Sequence, residues 1–138
     1  MKKSVRQVEA LLESIIECSD IEKVIEALPR GYISVKVISG HTYYYRQWRE
    51  GDKIVSSYVP ETYIKVVRQK IEIRKQNEEL LKILKKDYKK AARDVLKTGE
   101  ISLEEIEAAK AKIASYSAEE LENNRIEIVE NLKQELLA

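Results

Sequence analysis

The sequence predicts an α+β protein, and three observations carry that prediction. Apolar residues recur at three- and four-residue spacing in the first thirty positions and again after residue 60, which is the period of a helix. Between these stretches the period drops to two, with Ile33, Val35 and Val37 alternating with Tyr32, Ser34 and Lys36. Pro29, Gly31, Gly40, Gly51 and Pro60 mark the changes of period. At 138 residues, the chain suits one compact unit and is too short for two full domains. The predicted order is two N-terminal helices, a three-stranded antiparallel sheet, a long helix and two C-terminal helices. A helical hairpin takes 1–30, the sheet 31–60, a long basic helix 61–98 and acidic helices 99–138.

Each element has a local reason. Ser4-x-x-Gln7 is a capping-box pattern, and Val5, Val8, Leu11, Leu12, Ile15 and Ile16 follow it at helical spacing. Ser19-x-x-Glu22 predicts the start of a second short helix, with Ile21, Val24, Ile25 and Leu28 on one face. Pro29-Arg30-Gly31 ends it, because proline lacks an N–H and clashes with the preceding turn. Ser39-Gly40 reads as a two-residue hairpin turn between strands, and Gly51-Asp52 as a second. Pro60 closes the sheet. From Glu61 to about Lys97 there is neither Pro nor Gly, and Ile64, Val67, Ile71, Leu81, Leu84, Tyr88 and Val95 keep helical spacing. A helix of that length spans roughly 55 Å at 1.5 Å per residue, so it outruns a small sheet. Gly99 is a helix C-cap candidate, and Ser102-x-x-Glu105 and Ser117-x-x-Glu120 cap two further helices.

The two turns fix the strand register and therefore sort the side chains. One face collects Ile33, Val35, Val37, Tyr44, Trp48, Val55 and Val59, and the long helix is expected to cover it. The other collects Tyr32, Ser34, Lys36, Tyr43, Tyr45, Gln47, Arg49, Ser56 and Tyr58. Phenol rings stack on bases and donate to phosphates. Cations release counterions from a nucleic acid backbone. Amide and guanidinium groups read base edges. Tyr43, Tyr45, Gln47 and Arg49, flanked by Lys36 and Lys53, are the candidate nucleic-acid contacts. The plainer reading of the same face is that tyrosine is a good strand former which tolerates a half-wet surface.

Charge is segregated along the chain. Twenty-five basic and 24 acidic side chains leave a formal +1, but residues 29–97 carry a net +9 and residues 98–138 a net −6. Either the basic middle faces a polyanion, or the acidic helices fold back on the basic helix and cancel it.

Several function classes are disfavoured. Cys18 alone excludes a disulfide framework and fits a reducing compartment. One Cys and one His, His41, do not make a usual structural zinc site. No apolar run approaches the roughly 20 residues of a membrane span. The amphipathic N-terminal stretch, broken by Glu9 and Glu13, is not a signal-peptide core. His41 borders a turn without a partner in sequence, and no phosphate-binding loop, metalloprotease helix or nucleophile elbow is present. The expectation is a cytoplasmic protein that is not an enzyme, needs no cofactor or metal, and engages no membrane.

The segment from Leu28 to Val59 contains Leu28-Pro-Arg-Gly, Tyr43-Tyr-Tyr-Arg-Gln-Trp-Arg-Glu-Gly and Lys53-x-x-Ser-x-Tyr. It resembles small uncharacterised bacterial and phage proteins with this LP+G hairpin and YYYxQxREG strand before a long helix. The order of strands, helix and turn glycines is also similar to the arm-type DNA-binding domain of tyrosine recombinases, over residues 28 to about 75. That resemblance implies a sheet face directed at the major groove with a helix behind, and DNA rather than RNA as partner. The recombinase catalytic domain has no counterpart here. The reading is a nucleic-acid-binding regulatory or mobile-element (phage) protein. The alternative is a protein-binding inhibitor of a host nucleic-acid-handling protein, of the anti-CRISPR kind, acting through its acidic helices or sheet face. Homo-oligomerisation through the 61–97 helix is a further expectation.

Overall fold

A computed structural model of the chain describes residues 4–138. Helix α1 (Val5–Glu26) precedes strands β1 (Tyr32–Ile38), β2 (His41–Glu50) and β3 (Lys53–Val59). A short 3₁₀ turn (Glu61–Tyr63) leads into α2 (Ile64–Lys97), followed by α3 (Leu103–Ser115) and α4 (Ala118–Leu137). The protein is α+β, with one helix before the sheet and three after it. The expected second N-terminal helix does not exist: α1 runs through Ser19 without interruption. An N-cap needs a residue with non-helical backbone, and nothing between Ser4 and Leu28 (neither Pro nor Gly) breaks the helical path. Ser19 continues the inward stripe of Leu12, Ile15 and Ile16 and is itself buried.

The chain divides into two compact units: residues 1–23 with 80–138, and residues 24–79. The first is helical. Its interior joins Val8, Leu11, Leu12, Ile15 and Ile16 of α1 to Ala92 and Val95 of α2, Ile106, Ala109 and Ile113 of α3, and Leu121, Ile128, Leu132 and Leu136 of α4. Its ends are capped as the serine patterns predict. The Ser102 hydroxyl accepts from the Glu105 N–H at 3.2 Å, and the Glu105 carboxylate accepts from the Ser102 N–H at 3.2 Å, a complete capping box. The Ser117 hydroxyl accepts from the Glu120 N–H at 3.1 Å. Gly99, at φ 72°, takes the left-handed position after α2. Ser4 behaves differently. Its hydroxyl donates to the Glu100 carboxylate, and the Gln7 side-chain oxygen has no partner among the described residues, so the Ser4–Gln7 box is not formed.

The second unit holds the sheet, in the order β1-β2-β3, antiparallel throughout. Ser39 (φ 52°) and Gly40 (φ 80°) form a two-residue turn with positive φ at both positions, whose twist matches that of the strands. The observed pairs include Val35↔Tyr44↔Val59, Lys36↔Tyr43, Ser34↔Tyr45↔Tyr58 and Gln47↔Ser56, which is the register the turns predict. Coverage of the aliphatic face differs from expectation. Val59 is only 5% exposed, but Val35 is 51% and Val37 69% exposed. Period-two alternation says which side a residue takes, not whether anything lies over that side. Within this unit the buried apolar residues are Ile25, Val59 and Ile71.

Polar ties do much of the remaining holding in the sheet unit. Arg74 Nη1 donates to the Ile25 and Leu28 carbonyls at 2.9 and 2.6 Å, satisfying backbone acceptors at the end of α1. The Arg74 Nε–H also donates to Glu78 at 3.1 Å. The Arg46 guanidinium lies 3.8 Å from the centre of the Trp48 ring and donates to the Arg30 carbonyl at 2.8 Å. Gly31, at φ 103°, passes so close to β2 that a Cβ there would stand 2.0 Å from the Gln47 carbonyl oxygen. Among the described residues, no helix is long and apolar enough to cross a membrane.

Candidate nucleic-acid interface

Alternation along three paired strands builds the polar face. Tyr32, Ser34 and Lys36 come from β1, Tyr43, Tyr45, Gln47 and Arg49 from β2, and Ser56 and Tyr58 from β3. Across the middle of the sheet Ser34, Tyr45 and Tyr58 stand in one row, with the Tyr45 and Tyr58 rings 5.8 Å apart and tilted by 57°. The Lys36 ammonium lies 4.8 Å from the centre of the Tyr45 ring. In the next row the Tyr32 hydroxyl donates to the Gln47 side-chain oxygen at 2.8 Å. That bond orients the Gln47 amide and leaves its two N–H donors available.

Exposure follows from this packing. Tyr43, Tyr45 and Gln47 are half-buried, while Lys36 and Arg49 are exposed. Tyr32 (52%) and Tyr58 (53%) are open at the flanks. The arrangement offers flat π surfaces beside two cationic groups and an amide donor. Chemically it can stack, neutralise phosphate charge and donate to carbonyl or ring-nitrogen acceptors.

Five of the six residues singled out in the sequence share this face. Lys53 does not: it opposes Glu50 across the β2–β3 pair, on the same side as Trp48 and Val55. Tyr32 and Tyr58 complete the face. Their parity already placed them there, although the candidate contacts were drawn mostly from β2. The cationic side chains on the opposite face were not foreseen. Arg46 is one of them, and burial, followed by the fields of Arg30 and Arg74, pulls its guanidinium below its ordinary pKa. The sequence signal was the pairing of Ile33 with Arg46, which put a guanidinium on the aliphatic side.

The sites set aside in the sequence have these surroundings. His41 is exposed at the start of β2. Cys18 is free and half-buried in α1. Among the described residues, no group of three or more His, Cys, Asp or Glu side chains is arranged to hold a metal ion. In the acidic tail, Arg125 pairs with Glu13 at 2.6 Å and Asp20 at 4.0 Å, Lys133 with Glu9 at 3.1 Å and Glu130 at 2.9 Å, and Lys112 with Glu135 at 3.3 Å. These tail cations therefore meet carboxylates of α1 and α4.

A model of a domain of unknown function, DUF6788, matches residues 3–69, a span that takes in the sheet and the first turns of α2. No curated protein and no solved structure matches the chain.

Proposed function

We propose that this chain is a small nucleic-acid-binding protein of the regulatory or mobile-element type, with the tyrosine-rich sheet face as its contact surface. The observation that supports this reading most is the grouping of Tyr43, Tyr45, Gln47, Lys36 and Arg49 on one side of a rigidly registered sheet, with both cations exposed. A three-stranded face followed by a helix is also what the similarity to the recombinase arm-type domain implies, and DNA is the partner that similarity favours. Lys36 and Arg49 supply phosphate contacts, Tyr43 and Tyr45 supply ring surface, and Gln47 supplies the donor pair.

The test is fluorescence anisotropy with labelled duplex and single-stranded oligonucleotides between about 50 and 200 mM salt. Loss of two phosphate contacts in Lys36→Ala/Arg49→Ala is expected to flatten the slope of log affinity against log salt by about 2. Identical salt slopes for the double variant and the parent would refute the assignment. A protein partner is the second reading, favoured by Ile38 and Ile54, which are more than half exposed beside the same phenols. Capture of a host protein that survives nuclease treatment and is lost in Ile54→Asp, with no oligonucleotide binding, selects that reading.

A further inference from the structure

The helical unit contains a cleft of about 210 Å³ between α1, α2 and α3. Its apolar wall is the Tyr88 ring with Ile15 and Ala114. Three lysines line it: Lys85 and Lys89, one helical turn apart on α2, and Lys110 of α3, whose ammonium sits 4.8 Å from the centre of the Tyr88 ring. Like charges at this spacing repel one another, and neither Lys85 nor Lys89 has an ion-pair partner among the described residues. Glu22 is the one carboxylate on the lining, so the cleft has an excess of positive charge.

Two further side chains shape the cleft. Ser19 borders it and is only 9% exposed, which places a hydroxyl on the α1 wall. Cys18 also lines the cleft. Burial, then the fields of Glu22 and Glu17, raise its thiol above the ordinary pKa, against the opposing pull of Lys110 and Lys85. A protonated thiol is a poor nucleophile, so the occupant is held without a covalent bond.

We propose that this cleft binds a small aromatic anion, its ring against Tyr88, Ile15 and Ala114 and its anionic head between Lys85 and Lys89, within reach of the Ser19 hydroxyl. The volume falls below the roughly 300–1,000 Å³ of clefts that hold drug-sized ligands, which limits the body to about one ring. The head is a carboxylate or a phosphate, and two probes distinguish them.

Phenylacetate and phenyl phosphate are titrated separately into the full chain and followed by amide NMR shifts. Saturable binding of either one is expected, with the largest shifts at Cys18, Ser19, Tyr88 and Ala114. In Lys85→Gln/Lys89→Gln the affinity should fall about tenfold or more, since charge-assisted contacts are lost. Lys86→Gln, whose side chain is not part of the lining, should bind as the parent does. Ala114→Phe, which fills the cleft and keeps both lysines, should abolish binding and tests the site even if the lysine variant unfolds. No saturable binding of either probe overturns the proposal. So does equal affinity for inorganic phosphate or for benzyl alcohol, or an Ala114→Phe chain that binds as well as the parent.

Discussion

The two units use their apolar residues in different ways. In the helical unit fifteen buried hydrophobic residues among those described, drawn from all four helices and the α2–α3 connection, form one cluster. In the sheet unit only Ile25, Val59 and Ile71 are buried among the described residues. There the backbone ladder, a guanidinium on two carbonyls and ring–cation contacts take over much of the work, and large side chains remain on the surface. The contrast separates a part whose sequence is occupied with folding from a part whose side chains are free to meet something else. Loops and exposed faces positioned by a stable scaffold are where binding is usually found.

The most severe break of this contrast is a cavity in the helical cluster. Leu12→Ala removes a fully buried side chain and should cost about 2–5 kcal/mol in denaturant unfolding. Hydrogen exchange should rise most over residues 4–23 and 80–138. A larger rise over the β ladder would contradict the division of labour. Gly31→Ala attacks the sheet unit instead. The positive φ alone costs about 1–3 kcal/mol, and the new Cβ would strike the Gln47 carbonyl oxygen. Faster exchange at β1 and β2 amides is the expected sign, and an unchanged ladder would show that β1 can shift without penalty. Ser102→Ala removes the hydroxyl half of the capping box and should cost about 1 kcal/mol, read as a lower Tm.

The mildest effect is alkaline and confined to the helical unit. Burial comes first in raising both Cys18 and Tyr88, so the folded state holds these protons more tightly than the unfolded chain does. Their contribution is therefore complete below the ordinary values, about 9 for the thiol and 10 for the phenol, and is lost as pH rises through the higher folded values. Thermal melts from pH 8 to pH 11 should decline less steeply for Cys18→Ala than for the parent over the thiol part of that range. Parallel declines would remove the thiol from this account.

Much of this was legible in the sequence, for reasons that differ by residue. Ser39-Gly40 and Gly51-Asp52 fixed the register of all three strands, because a two-residue turn leaves no choice of pairing. Ser102 and Ser117 were legible as caps because a break in the apolar stripe precedes each one. Ser19 carries the same pattern but lies within a continuous helical path, and there neighbouring turns override the local capping preference. The exposure of Val35 and Val37 was hidden because parity carries no information about what lies above a face. Lys53 was read as a flank of the candidate contacts, and its register with Glu50 places it on the side of Trp48 and Val55. The fold class and most of the candidate face thus came from turns and parity, while coverage and long-range polar ties did not.

The guanidinium of Arg74 has a practical consequence for anyone who wishes to excise the sheet. The match to the domain of unknown function ends at residue 69, five positions before the side chain that holds the Ile25 and Leu28 carbonyls. A fragment trimmed to that boundary would keep every strand and lose the clamp on the segment that feeds the first of them. Expression boundaries for an isolated sheet should therefore run beyond Glu78, the carboxylate that steadies Arg74.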